Sequence, residues 1–190
     1  LSTIDKKVVT TWNKKPINTV YLSRQYNASN SVAGSDLSSM TGLIGSETLT
    51  LSGNTTMSSA NVGTNSVNAA SFTLGNGSNG GLANNYTVSG GSHTMVITQR
   101  PLNATLARQY DATTTAAGST LSSFDALQGG ENLTMSGSGT AVSKNVANGI
   151  AMASNGNLAL ANGSGGTAGL ASNYSLNSTV INISKRVLNS

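Results

Sequence analysis

The chain has no cysteine, two prolines, few aromatic rings and very little charge. Without cysteine there is no disulfide framework and no thiolate metal site. That absence has two readings, chance or export of an extended chain in which premature disulfides would be a hazard. Charged residues are only 8% of the chain, against about 25% in ordinary globular domains. Hydroxyls and amides must therefore solvate the surface. At 4% aromatics, the core falls to Leu, Val, Ile, Ala and a few Tyr. No apolar run approaches the ~18 residues of a membrane span, so a membrane-embedded chain is not expected. No secretory leader opens the sequence, and Leu1 in place of Met suggests an excised piece of something longer. What remains is a hydrophobic fraction of 37%, too high for a plainly disordered chain. The 190 residues allow one medium domain or two small ones. The net charge of +4 reflects a handful of Lys and Arg over very few acids.

An internal repeat organises the sequence. Arg24-Gln25-Tyr26-Asn27-Ala28 returns as Arg108-Gln109-Tyr110-Asp111-Ala112, and Ala33-Gly34-Ser35 as Ala117-Gly118-Ser119. Glu47-Thr48-Leu49-Thr50-Leu51-Ser52-Gly53 returns as Glu131-Asn132-Leu133-Thr134-Met135-Ser136-Gly137. Asn61-Val62 matches Asn145-Val146, and Gly81-Leu82-Ala83-Asn84-Asn85-Tyr86 matches Gly169-Leu170-Ala171-Ser172-Asn173-Tyr174. The offset runs only from 84 (Arg24 to Arg108) to 88 (Gly81 to Gly169). Matches in one order at one offset mean duplication. Joints also recur. Ile97-Thr98-Gln99-Arg100-Pro101-Leu102 resembles Ile183-Ser184-Lys185-Arg186-Val187-Leu188, and Ile4-Asp5-Lys6-Lys7-Val8-Val9 reads as a third copy. A stretch before Tyr26, with Trp12 and Lys14-Lys15-Pro16, reads as extra to the first copy. The expected division is residues 1–98 and 99–190, with residues 1–9 holding the tail of a preceding unit.

Period-two alternation predicts strands at Leu49/Leu51, Leu133/Met135, Phe72/Leu74, Leu158/Leu160, Tyr86/Val88, Tyr174/Leu176 and Ile181/Ile183. Asn76-Gly77, Asn148-Gly149, Asn155-Gly156 and Asn162-Gly163 predict turns with positive φ. Apolar spacing of three at Leu37–Met40 and Leu121–Phe124 predicts a short helical turn capped by Ser35 or Ser119. The expectation is all-β: two small tandem Ig-like sandwiches, with a β-grasp arrangement as the alternative. Almost no linker separates the copies, which predicts a stiff pair.

Candidate sites are few. Tyr26, Tyr110, Tyr86 and Tyr174 recur, as do Asn61 and Asn145, and residues present in both copies serve the module's own fold. Trp12, Arg100 and Pro101 are the joint candidates, with Trp12 expected at an interface between modules. His93 is the sole histidine and reads as a loop residue. Asp125 and Glu131 are the nearest acidic pair, short of the cluster that Ca²⁺ requires. Thr113-Thr114-Thr115 could present a binding face. Asn-x-Ser/Thr triplets, such as those headed by Asn85, Asn132 and Asn177, are open to glycosylation in a host with the transferase, although composition alone generates many of them. Lys6, Lys7, Lys14, Lys15, Arg100, Lys185 and Arg186 gather at joints without the aromatic interleaving of a nucleic-acid site. No catalytic residue, metal site or cofactor is expected.

The run Arg108-Gln109-Tyr110-Asp111-Ala112-Thr113-Thr114-Thr115-Ala116, followed by Glu131-Asn132-Leu133-Thr134-Met135, Asn145-Val146 and Leu170-Ala171-Ser172-Asn173-Tyr174, resembles the YDG/MBG-type repeat. Such repeats stand in tandem in very large secreted adhesins of Gram-negative bacteria, of the filamentous-haemagglutinin and high-molecular-weight kind, exported by two-partner secretion. The signature Tyr-Asp-Gly is Tyr110-Asp111-Ala112 in one copy and Tyr26-Asn27-Ala28 in the other. The resemblance implies an extracellular, non-enzymatic spacer of an adhesin fibre on the bacterial surface, with a place in biofilms. Its partners would be adjacent repeats of the same chain, with host or matrix glycans as further partners. The alternative is direct binding of a glycan, ice or a matrix polymer, with avidity supplied by repetition.

Overall fold

The computed structural model describes residues 12–88 and 90–187. The joint expected at Ile4–Val9 lies outside them. Every described element is a β-strand or a single 3₁₀ turn, so the protein is all-β. Among the described residues no helix is long and apolar enough to cross a membrane. The chain forms two compact units. One comprises the described residues up to Ser23 with Ser31–Ser58 and Thr64–Val96. The other comprises Arg24–Asn30, Ser59–Gly63 and the described residues from Ile97.

The second unit is built on a six-stranded sheet. Its order is Thr115–Ala117, Ser138–Ala141, Ala147–Ser154, Tyr174–Ser184, Arg100–Gln109, Leu121–Phe124. Arg100–Gln109 and Tyr174–Ser184, the first and last long strands of the repeat, are neighbours in the interior of the sheet. They run parallel, in register from Arg100↔Tyr174 to Gln109↔Ser184 with one shift after Leu102. Their outer neighbours are antiparallel to them. The second layer is also made of strands, a ladder joining Leu133–Ser136 to Ala159–Asn162. Met135 and Leu160 from that ladder pack with Leu106, Ile150, Ile181 and Ile183 from the sheet. Leu106 and Ile181 are wholly buried, and each such side chain contributes about 1.5–3 kcal/mol.

The first unit follows the same plan. Its sheet order is Leu37–Thr41, Thr19–Gln25, Thr94–Thr98, Gly63–Ser66. A ladder joins Leu49–Ser52 to Thr73–Asn76. Leu49 and Leu51 point inward and Thr50 outward, as alternation predicts. Val20, Leu22, Val32 and Met95 are buried.

Three expectations need correction. Lys15 pairs with Tyr86, and Pro16 with Thr87, in parallel. This is the same pairing as Arg100 with Tyr174 and Pro101 with Ser175. Lys14-Lys15-Pro16 is therefore the counterpart of Gln99-Arg100-Pro101 and not an extra stretch. The helical turns fall three residues early, at Gly34–Asp36 and Gly118–Thr120, and are flanked by Ala33 and Ala117 rather than capped by a serine. Leu37–Thr41 and Leu121–Phe124 are strands, because backbone pairing to a neighbouring strand overrides a three-residue spacing. Finally, Gly149 and Gly156 have positive φ, but Gly77 and Gly163 do not. At those two a Cβ would lie 2.0 Å from the carbonyl oxygen of Thr48 or Asn132. Close backbone approach is what requires glycine there.

Candidate functional site: one carboxylate between two tyrosines

The recurrent tyrosines and a recurrent glutamate meet in the second unit. A turn at Gln128–Glu131, closed by the Glu131 N–H donating to Gln128 O at 2.9 Å, presents the carboxylate. Tyr174 starts the long central strand and donates its hydroxyl to Glu131 Oε2 at 2.6 Å. Tyr26 donates to Glu131 Oε1, also at 2.6 Å. The two rings meet edge to face, with centroids 5.2 Å apart and planes at 78°. Such a contact adds about 0.5–1.5 kcal/mol beyond burial. Tyr26 and Tyr174 are 3% and 2% exposed, so few other partners are open to the hydroxyls. Burial first, and the bond to Glu131 second, raise the Tyr174 hydroxyl to about 12. The same causes in the same order raise Tyr26 further.

Amides extend the cluster. Asn173, 1% exposed, accepts the Val62 N–H at 2.9 Å and donates Nδ2 to Asn61 Oδ1 at 3.0 Å. Arg100 donates Nε to Ala126 O at 3.1 Å and Nη1 to Tyr26 O at 3.5 Å. The signature turn holds Tyr26 in place. Asn27 Oδ1 accepts the Ser29 N–H, and Ala28 adopts φ +59°. In the other copy Asp111 accepts the Thr113 N–H and hydroxyl and pairs with Arg108, and Ala112 adopts φ +63°. The Thr113 backbone and hydroxyl bonds, ahead of Arg108, hold the Asp111 carboxyl below the usual range. Both copies thus place alanine in the left-handed region where the family signature has glycine.

The counterparts in the first unit are Glu47, Tyr86 and Asn85. Tyr86 donates its hydroxyl to Glu47 Oε2. That bond, ahead of burial, raises its pKa. Among the described residues no second tyrosine meets Glu47, and Asn85 is exposed.

The remaining candidates are dispersed. Tyr110 is half-buried against the second core. Asn145 is exposed. Pro101 is exposed within its strand. Trp12 is 90% exposed and lines a shallow depression of about 290 Å³ with Lys14, Asn84 and Asn85. His93 is more engaged than a plain loop residue. Its Nδ1 accepts the Val20 N–H at 3.1 Å and its Nε2 lies 3.0 Å from Gly90 O. Asp125 is occupied by the backbone and side-chain N–H groups of Asn103, which, backbone first, lower its pKa. Thr113 turns its hydroxyl to Asp111, leaving only Thr115 of that run on a strand. No three His, Cys, Asp or Glu side chains group as metal ligands among the described residues.

The chemistry of the cluster is a clamp. A carboxylate accepting two buried hydroxyls fixes two rings and the strands that carry them. Sequence reasoning placed the tyrosines in the module's fold but did not join them to Glu131. The signal was present, because Glu47/Glu131 recur together with Tyr86/Tyr174. No curated protein and no solved structure matches the chain. The YDG domain profile matches it twice, over residues 12–95 and 97–181, and the chain therefore belongs to the YDG domain family as a tandem of two repeats.

Proposed function

We infer that these repeats are spacer modules of a long extracellular adhesin fibre on a bacterial surface, and that they are not enzymatic. The observation that carries the reading is what the duplication preserved. Both copies keep a turn, a core ladder and a tyrosine–glutamate hydrogen bond. The side chains outside that set, His93 and Trp12, occur once. A module retained for its fold serves as length, holding a distal binding region away from the cell. Family membership supports the same reading.

Intact, unpermeabilised cells making the parent protein should be labelled by an antibody to this chain. The purified chain should leave their adhesion unchanged, since a spacer carries no receptor-binding surface. Adhesion blocked by the purified chain would replace the spacer reading with direct binding of a glycan or matrix polymer.

A further inference from the structure

The clamp in the second unit is assembled from two preformed halves. One half is a plug: Tyr26, Ala28, Asn61 and Val62. The other is a socket: Gln128, Gly129, Glu131, Asn173 and Tyr174. All of these residues belong to the second compact unit. Duplication supplies a further plug at Tyr110, Ala112, Asn145 and Val146, and a further socket at Ile44, Gly45, Glu47, Asn85 and Tyr86.

Each spare half is already in its working geometry. In the plug, the Tyr110 N–H donates to Ser184 O at 2.9 Å, as that of Tyr26 does to Thr98 O. Arg108 Nη2 donates to Thr113 O at 2.6 Å, as Arg24 Nη2 does to Ser29 O. The Asn145 N–H donates to Ser143 Oγ at 3.1 Å, as that of Asn61 does to Ser59 Oγ. In the socket, the Ile44 N–H donates to the Tyr86 hydroxyl at 3.1 Å, as that of Gln128 does to Tyr174. The Asn85 and Asn173 N–H groups each close the same turn at 3.0 Å.

Each spare half is also uncovered where its assembled counterpart is covered. Asn85 is exposed and Asn173 is not. A Cβ on Gly129 would lie 2.9 Å from that of Ala28, whereas one on Gly45 meets nothing within 4 Å. Ile44 and Val146 are 58% and 45% exposed. Among the described residues the Tyr110 hydroxyl and Glu47 Oε1 have no hydrogen-bond partner.

We propose that the Tyr110–Asn145 face docks on the Glu47–Asn85–Tyr86 face of another copy of this repeat, reproducing the clamp. Tyr110 donates to the free oxygen of Glu47, its ring meets the edge or face of Tyr86, and the Val146 N–H reaches Asn85 Oδ1. Because plug and socket are different surfaces, the contact is head-to-tail and can repeat from copy to copy. The inference deepens the spacer reading by naming the module's partner, and it rests on that reading for tandem use of the repeat.

Two molecules of this chain provide the test. Without the effective concentration that linkage supplies, association is expected to be weak. Sedimentation and ¹⁵N–¹H spectra are recorded from about 20 μM to about 1 mM, a range that covers weak contacts. Self-association is expected, with shifts at Tyr110, Asn145 and Val146 and at Ile44, Glu47, Asn85 and Tyr86. Tyr110→Phe and Glu47→Gln each keep the fold and remove one side of the charged hydrogen bond, so each alone should weaken association about tenfold. Mixing the two variants restores one intact contact, so dimers return and longer species do not. A strictly monomeric chain, shifts confined to other surfaces, or variants that associate like the unmodified chain overturn the docking. None of those outcomes touches the spacer reading, which fails separately if the purified chain blocks adhesion.

Discussion

Tyr26 and Tyr110 occupy the same place in two copies of one sequence, in the same turn, each followed two residues on by an alanine at positive φ. Tyr26 is buried against Tyr174 and bonded to Glu131. Tyr110 is half-buried, and its hydroxyl is unengaged among the described residues. Likewise Glu131 serves two hydroxyls and Glu47 serves one. The local conformation is the same in each pair, so sequence alone sets it. What differs is whether a complementary half is present. The difference separates the cost of folding the turn from the gain of completing the clamp.

The largest expected effect comes from breaking the completed side. Tyr26→Ala should cost about 3–5 kcal/mol, as for other buried aromatic truncations. Tyr110→Ala should cost about 1–2 kcal/mol, in line with its partial burial. Urea unfolding of the two variants measures the gap, and equal costs would show that the clamp adds nothing. Glu131→Ala orphans two hydroxyls and should cost about 2–3 kcal/mol, against about 1 kcal/mol for Glu47→Ala, which orphans one.

Alkali probes the same contrast without mutation. The folded pKa of Tyr174 is about 12, against 10.0 for an ordinary tyrosine, and that of Tyr26 is also raised. Protons then leave the unfolded chain first. The stability these hydroxyls contribute is fully present below pH 10 and is lost as the pH rises through the folded values. Tyrosinate absorbance should therefore rise together with loss of β-structure, and ionisation of Tyr26 and Tyr174 near pH 10 in a still-folded chain would contradict it. The smallest effect is a gain. Ala112→Gly restores the family signature and relieves left-handed strain, offset partly by glycine's entropy, so stability should rise by about 0.5–1 kcal/mol. A fall in the unfolding midpoint would mean the alanine is not strained.

Much of the fold was legible locally. Inward Leu49/Leu51 and Leu133/Met135 follow from alternation, and the repeat follows from identity. The parallel pairing of Arg100–Gln109 with Tyr174–Ser184 was not legible. It joins segments about seventy residues apart, and nothing in a single strand's alternation names its neighbour. The same blindness made Lys14-Lys15-Pro16 look extra to the first copy, whereas the pairing of Lys15 with Tyr86 makes it the counterpart of Gln99-Arg100-Pro101. Glu131 was grouped with Asp125 because they are close in sequence, whereas Asp125 holds Asn103 and Glu131 holds tyrosines.

The parallel pair also has a mechanical meaning. In the second unit the first strand enters at Arg100 and the last leaves at Ser184, at opposite ends of one parallel ladder. Tension applied to the chain on either side slides those strands along each other. The ladder hydrogen bonds then share the load at once and are not opened one after another, as in an antiparallel hairpin pulled from its open end. A domain whose ends are joined this way resists stretching beyond what its modest core would suggest. That is the property the proposed spacer role calls for.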